Sequence, residues 1–322
     1  MQNIESIKTN NQAAKSPKEI SMLTIQNLSK AYSKSKNLAI DDLSLELKRG
    51  EIFGFLGHNG AGKTTTIKTI TGILPFEQGS IFIDNYDIKT DTQKAKSSFG
   101  YVSDNHIIYD KLTGREYVNF LANVYRVPMG DRKIRVDKML ELFALTDAYD
   151  TPIKTYSHGM KQKIHIIGSL IHNPSLWILD EPMTGLDPQS NFELKKLMRE
   201  HCKQGNTVFF STHILDVAEK LCDRIGIISK GKLVGVGSIE SLRQSKYESL
   251  EAFFLDIDND KSPNNQQEPN SDTTSTIDNT NISPIRPTNL QNSDFVQCPF
   301  CKTSMASKAK FCKECGNTLQ NQ

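Results

Sequence analysis

A glycine-rich stretch between two apolar runs constrains the fold of this chain more than any other feature. The stretch GHNGAGKTT occupies residues 57–65, directly after IFGFL and before TIKTITGIL. The first run is almost wholly apolar, as expected for a strand that is buried on both faces of a sheet. The run that follows the stretch has a helical pattern. The sequence therefore predicts a buried strand, a glycine-rich loop and a helix in succession.

The stretch fits the phosphate-loop pattern G-x-x-x-x-G-K-[ST] at Gly57, Gly62, Lys63 and Thr64. Glycines allow successive backbone N–H groups to turn inward around β- and γ-phosphates at the positive end of a helix, and Lys63 adds a mobile charge. Thr64 is expected to hold Mg²⁺. A glycine-rich turn without a ligand is the alternative, but this pattern arises by chance only about once in a hundred chains of average composition and this size.

The composition sets the size of the fold and argues against some partners. The chain has 322 residues, of which 37% are apolar, enough for one large domain and a small appendage. There are 39 Lys and Arg against 37 Asp and Glu, so the net charge of +2 gives no reason to expect nucleic acid or a bare anionic membrane. The first 20 residues lack the apolar segment of a signal peptide, and no long apolar run follows. We therefore expect a soluble, cytosolic chain.

Strand-like runs alternate with amphipathic ones from Leu23 onward, which predicts an α/β fold with a largely parallel core sheet. The run LSLEL at 43–47 alternates apolar and polar residues and indicates an edge sheet, an antiparallel β subdomain. Between Thr113 and His172 three helical patterns replace the strand signals, which predicts a helical subdomain inserted at about 105–172. The runs predicted as buried strands are IFGFLG (52–57), SIFI (80–83), LWILD (176–180), TVFFST (207–212), IGIIS (225–229) and KLVGVG (232–237).

Two segments are predicted to be disordered. Residues 1–21 are expected to form an amino-terminal tail. Residues 259–296 are crowded with Asn, Gln, Ser, Thr and Pro, so they cannot bury enough apolar surface to offset the entropy of ordering. The sequence therefore predicts a folded domain at 22–258, followed by a disordered linker.

Residues 297–320 carry two C-x-x-C pairs separated by ten residues. Four thiolates on two tight turns can close a tetrahedral Zn²⁺ site and hold together a segment that is too small for its own core. This spacing predicts a zinc ribbon, with disulfides as the alternative that an intracellular chain disfavours. Cys202 and Cys222 are predicted to be ordinary, partly buried thiols. The predicted zinc ligands are Cys298, Cys301, Cys312 and Cys315.

A pair of acidic residues ends one of the predicted strands. In SLWILDEP, Asp180 and Glu181 directly follow an apolar run, which would deliver two carboxylates to the phosphate end of the sheet. Asp180 is expected to orient Mg²⁺ through water, and Glu181 to polarise the attacking water as a general base. A solvated acidic pair is the alternative, which the phosphate loop makes the weaker one.

Three further motifs carry a resemblance to a known family: YSHGMKQ at 156–162, TGLDP at 184–188 and STH at 211–213. In their order and spacing, with the phosphate loop and the acidic pair, the chain from about Met22 to Asp258 resembles an ABC-type ATPase, the nucleotide-binding subunit of an ABC transporter. The stretch YSHGMKQKIHIIGSL and the closing SLEAFFLDI look most like the ABC-2 type export branch. The resemblance implies a P-loop NTPase core that uses ATP and Mg²⁺.

The resemblance also implies a role for each matching residue. Ser157 and Gly159 occupy the signature motif, which in this family binds the γ-phosphate across a head-to-tail dimer, so that ATP holds the dimer closed. Asp187 falls in the loop that couples the two sites. His213 matches the switch histidine that contacts the γ-phosphate and orients water with Glu181. The other expected nucleotide contacts are Tyr32 against adenine and, in the phosphate loop, Asn59, Gly60 and Thr65.

Some positions depart from the family pattern. After FGYV the family usually has a Gln that binds Mg²⁺ and water and links the ATP site to the transmembrane partner, whereas this chain has Asp104. A carboxylate can still bind Mg²⁺, but it adds negative charge beside the triphosphate. His158 and Met160 replace residues that are common in the signature. His58, at a variable position of the phosphate loop, is predicted to face solvent.

Three functions are open at this point. The resemblance favours the ATPase subunit of an exporter, a homodimer or heterodimer at the inner face of the membrane with a separately encoded permease. A soluble ABC ATPase that acts on ribosomes or nucleic acid is the alternative, with the zinc ribbon as its recognition module. The single cassette and the weak net charge argue against it. A catalytically inactive scaffold conflicts with the presence of Lys63, Asp180, Glu181 and His213.

Overall fold

The computed structural model describes residues 21–32, 38–104 and 109–244, and two short strands near the carboxyl end. The chain separates into two units, residues 1–263 and 264–322. The predicted tail up to residue 20, most of the predicted linker and all four predicted zinc ligands lie outside the described residues.

The first unit alternates strands and helices, as the sequence predicts, and the second contains one antiparallel strand pair. In chain order the elements are β1 (Leu23–Ala31), β2 (Leu38–Leu47), β3 (Ile52–Leu56), α1 (Lys63–Ile70), β4 (Gln78–Ile83), β5 (Tyr86–Asp87), α2 (Thr92–Ser97), β6 (Phe99–Val102), α3 (Gly114–Val124), α4 (Met129–Leu142), α5 (His158–Leu170), β7 (Leu176–Leu179), α6 (Pro188–Lys203), β8 (Thr207–Thr212), α7 (Leu215–Leu221), β9 (Arg224–Ser229), β10 (Lys232–Gly237), α8 (Ile239–Gln244), β11 (Phe295–Gln297) and β12 (Ser304–Ala306).

A six-stranded sheet forms the centre of the first unit, in the order β10-β9-β3-β8-β7-β6. The five strands from β9 to β6 are parallel, which confirms the predicted parallel core. All residues of β3 are buried, because the sheet is covered on both faces. The prediction that the run KLVGVG forms a buried strand is wrong. The run is the antiparallel edge strand β10, in which half-buried and exposed residues alternate.

A four-stranded sheet in the order β2-β1-β4-β5 forms the predicted antiparallel subdomain. The run SIFI, predicted as a buried strand, lies here in β4 and buries alternate residues, Ile81 and Ile83. In the same way β2 buries Leu43, Leu45 and Leu47 on one face. An alternating burial of this kind is expected of an antiparallel sheet with one face toward a core.

The two faces of the six-stranded sheet belong to different hydrophobic cores. Phe53 and Phe209 stack with ring centroids 6.0 Å apart in the core shared with the antiparallel sheet. Val208 and Phe210, the two neighbours of Phe209 on β8, belong to the opposite core, which they share with the helical insertion. Because side chains alternate along a strand, a one-residue change of register would exchange these two cores.

The helical insertion contains α3, α4 and α5, which confirms the three helices predicted there. The first begins with a capping box, in which the Thr113 hydroxyl accepts from Glu116 N–H at 3.1 Å and the Glu116 carboxylate accepts from Thr113 N–H at 2.8 Å. Across the described part of the chain, no helix combines the length and the apolar character needed to cross a lipid bilayer.

Candidate functional site

The phosphate loop connects β3 to α1 and lies pressed against neighbouring strands. A Cβ atom on Gly57 would lie 2.6 Å from the carbonyl oxygen of Ile228, and one on Gly62 would lie 2.7 Å from that of Ala39. Gly62 also has a φ of +113°, a backbone region that side-chain-bearing residues avoid. These two glycines are therefore required by the close approach of the backbone as well as by the turn.

Lys63 is the first residue of α1, and its ammonium group lies inside the loop. The side chain is only 6% exposed. Its Nζ donates to the carbonyl oxygens of Gly57 at 2.7 Å and His58 at 3.3 Å. The same Nζ lies 3.3 Å from Oε1 of Glu181, which compensates the buried charge. The structure thus brings the predicted lysine and the predicted general base together.

A cleft of about 850 Å³ opens over the loop. The hydroxyl groups of Tyr32 and Thr65, which both line this cleft, lie 3.2 Å apart. Most of the predicted nucleotide contacts in the phosphate loop, and both Asp104 and Glu181, line this cleft. The predicted residues that line it are Tyr32, Asn59, Gly60, Gly62, Lys63, Thr64, Thr65, Asp104 and Glu181.

Six residues that sequence reasoning did not assign to the site also line the cleft. They come from β2, from the loop and from the turn after β9, where Asp41 N–H donates to Gly231 O at 2.9 Å and Gly231 N–H donates to Ala61 O at 2.8 Å. The one sequence signal was the Lys-Gly turn between two strand-like runs. His58 is exposed, as predicted, but it faces the cleft. The six are Leu38, Ala39, Asp41, His58, Lys230 and Gly231.

Asp180 follows β7 and is completely buried. Its Oδ1 accepts from the Ser211 hydroxyl at 2.6 Å, whereas Oδ2 has no hydrogen-bond partner among the described residues. Burial raises the pKa of this carboxyl above its ordinary value, although the Ser211 hydrogen bond opposes the shift. A buried carboxylate oxygen without a partner fits a residue that orients a cation through water.

Glu181 lies beside Asp180 in a backbone conformation with φ of +47°, which is unusual for a residue with a side chain. Its N–H donates to the Ser211 hydroxyl at 2.9 Å, and its Oε2 lies 3.0 Å from Nδ1 of His213. Lys63, Glu181 and His213 therefore form a continuous chain of contacts at the carboxyl ends of β7 and β8. Three distant segments of the sequence meet here.

Ser157, Gly159 and Asp187 are not among the residues that line the cleft. The Ser157 hydroxyl caps α5 by accepting from Met160 N–H at 3.2 Å. A Cβ on Gly159 would lie 2.8 Å from the carbonyl oxygen of Gly185, so the signature motif packs against the TGLDP loop. Asp187 caps α6, and the hydrogen bonds from Ser190 hold its pKa well below the usual range.

Oxygen donors that suit Mg²⁺ lie near the cleft. Thr64 and Asp180 offer hard oxygen atoms, which Mg²⁺ prefers. Within the residues that the structure describes, no group of three or more His, Cys, Asp and Glu side chains could hold a metal ion by itself. Mg²⁺ in nucleotide sites is commonly held by one or two protein oxygens together with substrate phosphates and water.

Comparison with known proteins agrees with this site. Residues 40–184 match the family model for ABC transporters. The linearmycin resistance ATP-binding protein LnrL of Bacillus subtilis (strain 168) is 40% identical over 217 residues, which are 67% of this chain and 69% of that protein. The ABC transporter ATP-binding protein NatA of the same strain is 31% identical over 238 residues, 73% of this chain and 97% of that protein.

Solved structures share the fold. An ATP-binding subunit of an ABC transporter matches with a TM-score of 0.70 at 30% identity, covering 74% of this chain and 99% of that one. A dimeric ATP-binding cassette with bound ADP and phosphate matches with a TM-score of 0.62 at 24% identity, covering 67% and 98%. Fold and site thus define a phosphate-loop ATPase. More narrowly, the chain belongs to the ATP-binding subunits of ABC transporters, and it binds and hydrolyses ATP.

Proposed function

We propose that this chain drives export through a separately encoded membrane permease, and that ATP closes a dimer whose two sites each combine residues of both copies. One observation carries the proposal. Lys63 and Glu181 line the cleft and His213 contacts Glu181, whereas Ser157 and Gly159 lie at the start of α5, where Gly159 packs against the TGLDP loop. Because no contact in the described part of the chain joins the signature residues to Lys63, Glu181 or His213, we assign them to the nucleotide site of another copy.

Within the cleft, each predicted residue has a role that its position supports. The backbone N–H groups of the phosphate loop and the Lys63 ammonium bind the β- and γ-phosphates, which replace the loop carbonyl oxygens as partners of Nζ. Thr64 and Asp180 hold Mg²⁺, which neutralises phosphate charge when it is bound. Tyr32, which is 47% exposed at the rim, offers its ring to the adenine base.

Glu181 is the proposed general base, and His213 orients it. The carboxylate takes a proton from the attacking water, while the 3.0 Å contact with His213 fixes its direction. The ion pair with Lys63 holds Glu181 toward the phosphate loop, so a γ-phosphate bound by this loop would be near the Glu181 carboxylate. In this proposal Glu181 would activate a water for in-line attack on the γ-phosphate.

The signature motif supports the dimer. Ser157 is exposed at the amino end of α5, where a hydroxyl and the positive end of the helix dipole suit a phosphate. The helix has 13 residues, long enough for a substantial dipole. Asp187 pairs with Lys163 of α5 at 2.9 Å, and we assign it the role of coupling the two sites.

An exposed aromatic pair supports a permease contact. Tyr109 and Phe120 are 63% and 45% exposed, and their rings form an edge-to-face pair with centroids 5.7 Å apart. We propose that this exposed pair, on and before α3 of the helical insertion, contacts the cytoplasmic helices of the permease. Export is favoured because a relative of this chain is a resistance protein, and removal of a toxic compound is one way to resist it.

We also propose the zinc ribbon at 297–320, which rests on the sequence alone. Four thiolates at this spacing suit Zn²⁺, and β11 and β12, the strand pair in this unit, are compatible with a small ribbon. We expect the full-length chain to contain one zinc per molecule by elemental analysis, and a Cys312→Ser, Cys315→Ser variant to contain none. Full zinc content in that variant would refute the assignment.

Replacement of Glu181 tests the catalytic part of the proposal. Glu181→Gln should retain MgATP binding and lose turnover by roughly 100- to 10,000-fold, as expected for a general base. The matched control is Glu200→Gln, which changes a surface carboxylate paired with Lys138 at 3.7 Å and should keep parental turnover. Steady-state phosphate release measures both. Parental turnover in Glu181→Gln would refute the general base.

A further inference from the structure

Gln162 is a buried polar side chain to which sequence reasoning assigned no role. It is the last residue of the stretch YSHGMKQ, and it lies on α5 of the helical insertion with only 1% of its surface exposed. Its Nε2 donates to the carbonyl oxygen of Pro182 at 2.8 Å. Its Oε1 is buried without a hydrogen-bond partner among the described residues. A buried amide that satisfies only its donor half costs stability, which points to a role for the donated hydrogen bond other than stability.

The partner of Gln162 directly follows Glu181, whose backbone is strained. Glu181 has a φ of +47°, whereas residues that precede a proline favour extended backbone. Such a conformation persists only where the surrounding structure fixes it. On one side the Glu181 N–H donates to the Ser211 hydroxyl at 2.9 Å, and on the other side Gln162 holds Pro182. The backbone at Glu181 is therefore fixed from both sides.

This backbone sets the direction of the Glu181 carboxylate. Because the proline ring fixes the φ of Pro182, a hydrogen bond that anchors its carbonyl oxygen also anchors the peptide bond that joins it to Glu181. In this arrangement the carboxylate lies 3.3 Å from Nζ of Lys63 and 3.0 Å from Nδ1 of His213. Relaxation of Glu181 toward extended backbone would turn its side chain away from both groups.

We infer that Gln162 is a positioning residue for ATP hydrolysis, which keeps Glu181 directed at the phosphate loop through its hydrogen bond to Pro182. The inference rests on the proposed general base, and it adds a residue of the helical insertion that is not among those lining the cleft. Loss of this hydrogen bond should lower the rate of hydrolysis but not the affinity for MgATP, since the phosphate loop itself is unchanged.

Two substitutions in the full-length chain test this. Gln162→Met keeps the length of the side chain but removes the donor, and Gln162→Glu keeps its shape but places an oxygen where the donor was. Steady-state phosphate release gives kcat and KM, and calorimetry gives the MgATP dissociation constant. We expect each variant to lower kcat by about 10- to 100-fold, because the base is misplaced, and to leave KM and the dissociation constant within about twofold of the parent.

Ser169→Ala is the matched control. Ser169 is also buried on α5, and its hydroxyl accepts from Nε1 of Trp177 on β7 at 2.9 Å. The variant loses a buried hydrogen bond between the same helix and the strand that precedes Glu181, so it should unfold at a lower urea concentration but keep kcat within about twofold.

Parental kcat in either Gln162 variant, a matching loss of MgATP affinity, or an equal fall of kcat in Ser169→Ala would overturn the inference. Parental turnover in Glu181→Gln would instead overturn the proposed general base.

Discussion

Gly57 and Gly60 belong to the same loop, but the structure gives them different reasons to be glycine. At Gly57 a Cβ atom would meet the carbonyl oxygen of Ile228 at 2.6 Å and its Cγ2 at 2.9 Å. At Gly60 no atom lies within 4 Å of such a Cβ, but the φ of +84° is unfavourable for an alanine. One position is limited by space and the other by backbone conformation.

This difference predicts unequal effects of alanine in the loop. Gly57→Ala must displace the loop from β9, so we expect a loss of about 1–3 kcal/mol in the free energy of unfolding together with weaker MgATP binding. Gly60→Ala should cost only about 1–2 kcal/mol from its left-handed backbone. Urea unfolding and calorimetry measure both variants. If Gly57→Ala binds MgATP as tightly as the parent, the loop does not depend on this close contact.

The helices and strands were predictable where burial and period agree. The runs at 52–57 and 207–212 are apolar because both faces of β3 and β8 are covered, and the insertion between Thr113 and His172 has clear helical periods. The prediction for the run KLVGVG was wrong. Its glycines and valines are typical of a buried strand, but Val234 and Val236 are exposed at the sheet edge. Composition alone does not distinguish an edge strand from a central one.

The site was predictable only in part for a related reason. Motif residues such as Lys63 and Asp180 carry their own signal, since phosphate and metal chemistry restrict the residue types. Asp41 carries none, because its segment reaches the cleft through backbone contacts with Gly231, about 190 residues away in the chain. Such contacts follow from the order of strands, which local pattern does not reveal.

The packing of α6 on the sheet gives a prediction about pH. His201 on α6 is 5% exposed and lies with its ring edge against Trp177 of β7, and burial lowers its pKa from 6.5 to about 4. The unfolded chain therefore binds more protons than the folded one between these values, so stability falls as the pH drops. Between pH 7 and pH 5 this residue should remove about 2 kcal/mol from the free energy of unfolding.

His201→Gln removes this titration while it keeps a side-chain donor. We expect its free energy of unfolding, measured in urea, to fall less between pH 7 and pH 5 than that of the parent, by about 2 kcal/mol. The same pH dependence in both proteins would contradict the buried neutral histidine.

On the scale of the whole molecule, the chain contains an ATPase unit and a second unit at 264–322. All residues that line the cleft belong to the first unit. We therefore expect a chain that ends at residue 258 to hydrolyse ATP at the parental rate within about twofold. The predicted linker is long and flexible, so the second unit should have little influence on the first. If the truncated chain loses ATPase activity that the full-length chain has, the second unit is part of the catalytic assembly.

In the proposed function two copies of this chain share each nucleotide, and the oligomeric state tests this most directly. Glu181→Gln with MgATP should elute with twice the 36.2 kDa mass of one chain in light scattering, and as a single chain without nucleotide. Adding Ser157→Arg should abolish this dimer but preserve MgATP binding in calorimetry, because Ser157 is not part of the chain's own cleft. A nucleotide-dependent dimer that survives the Ser157 substitution would contradict the shared site.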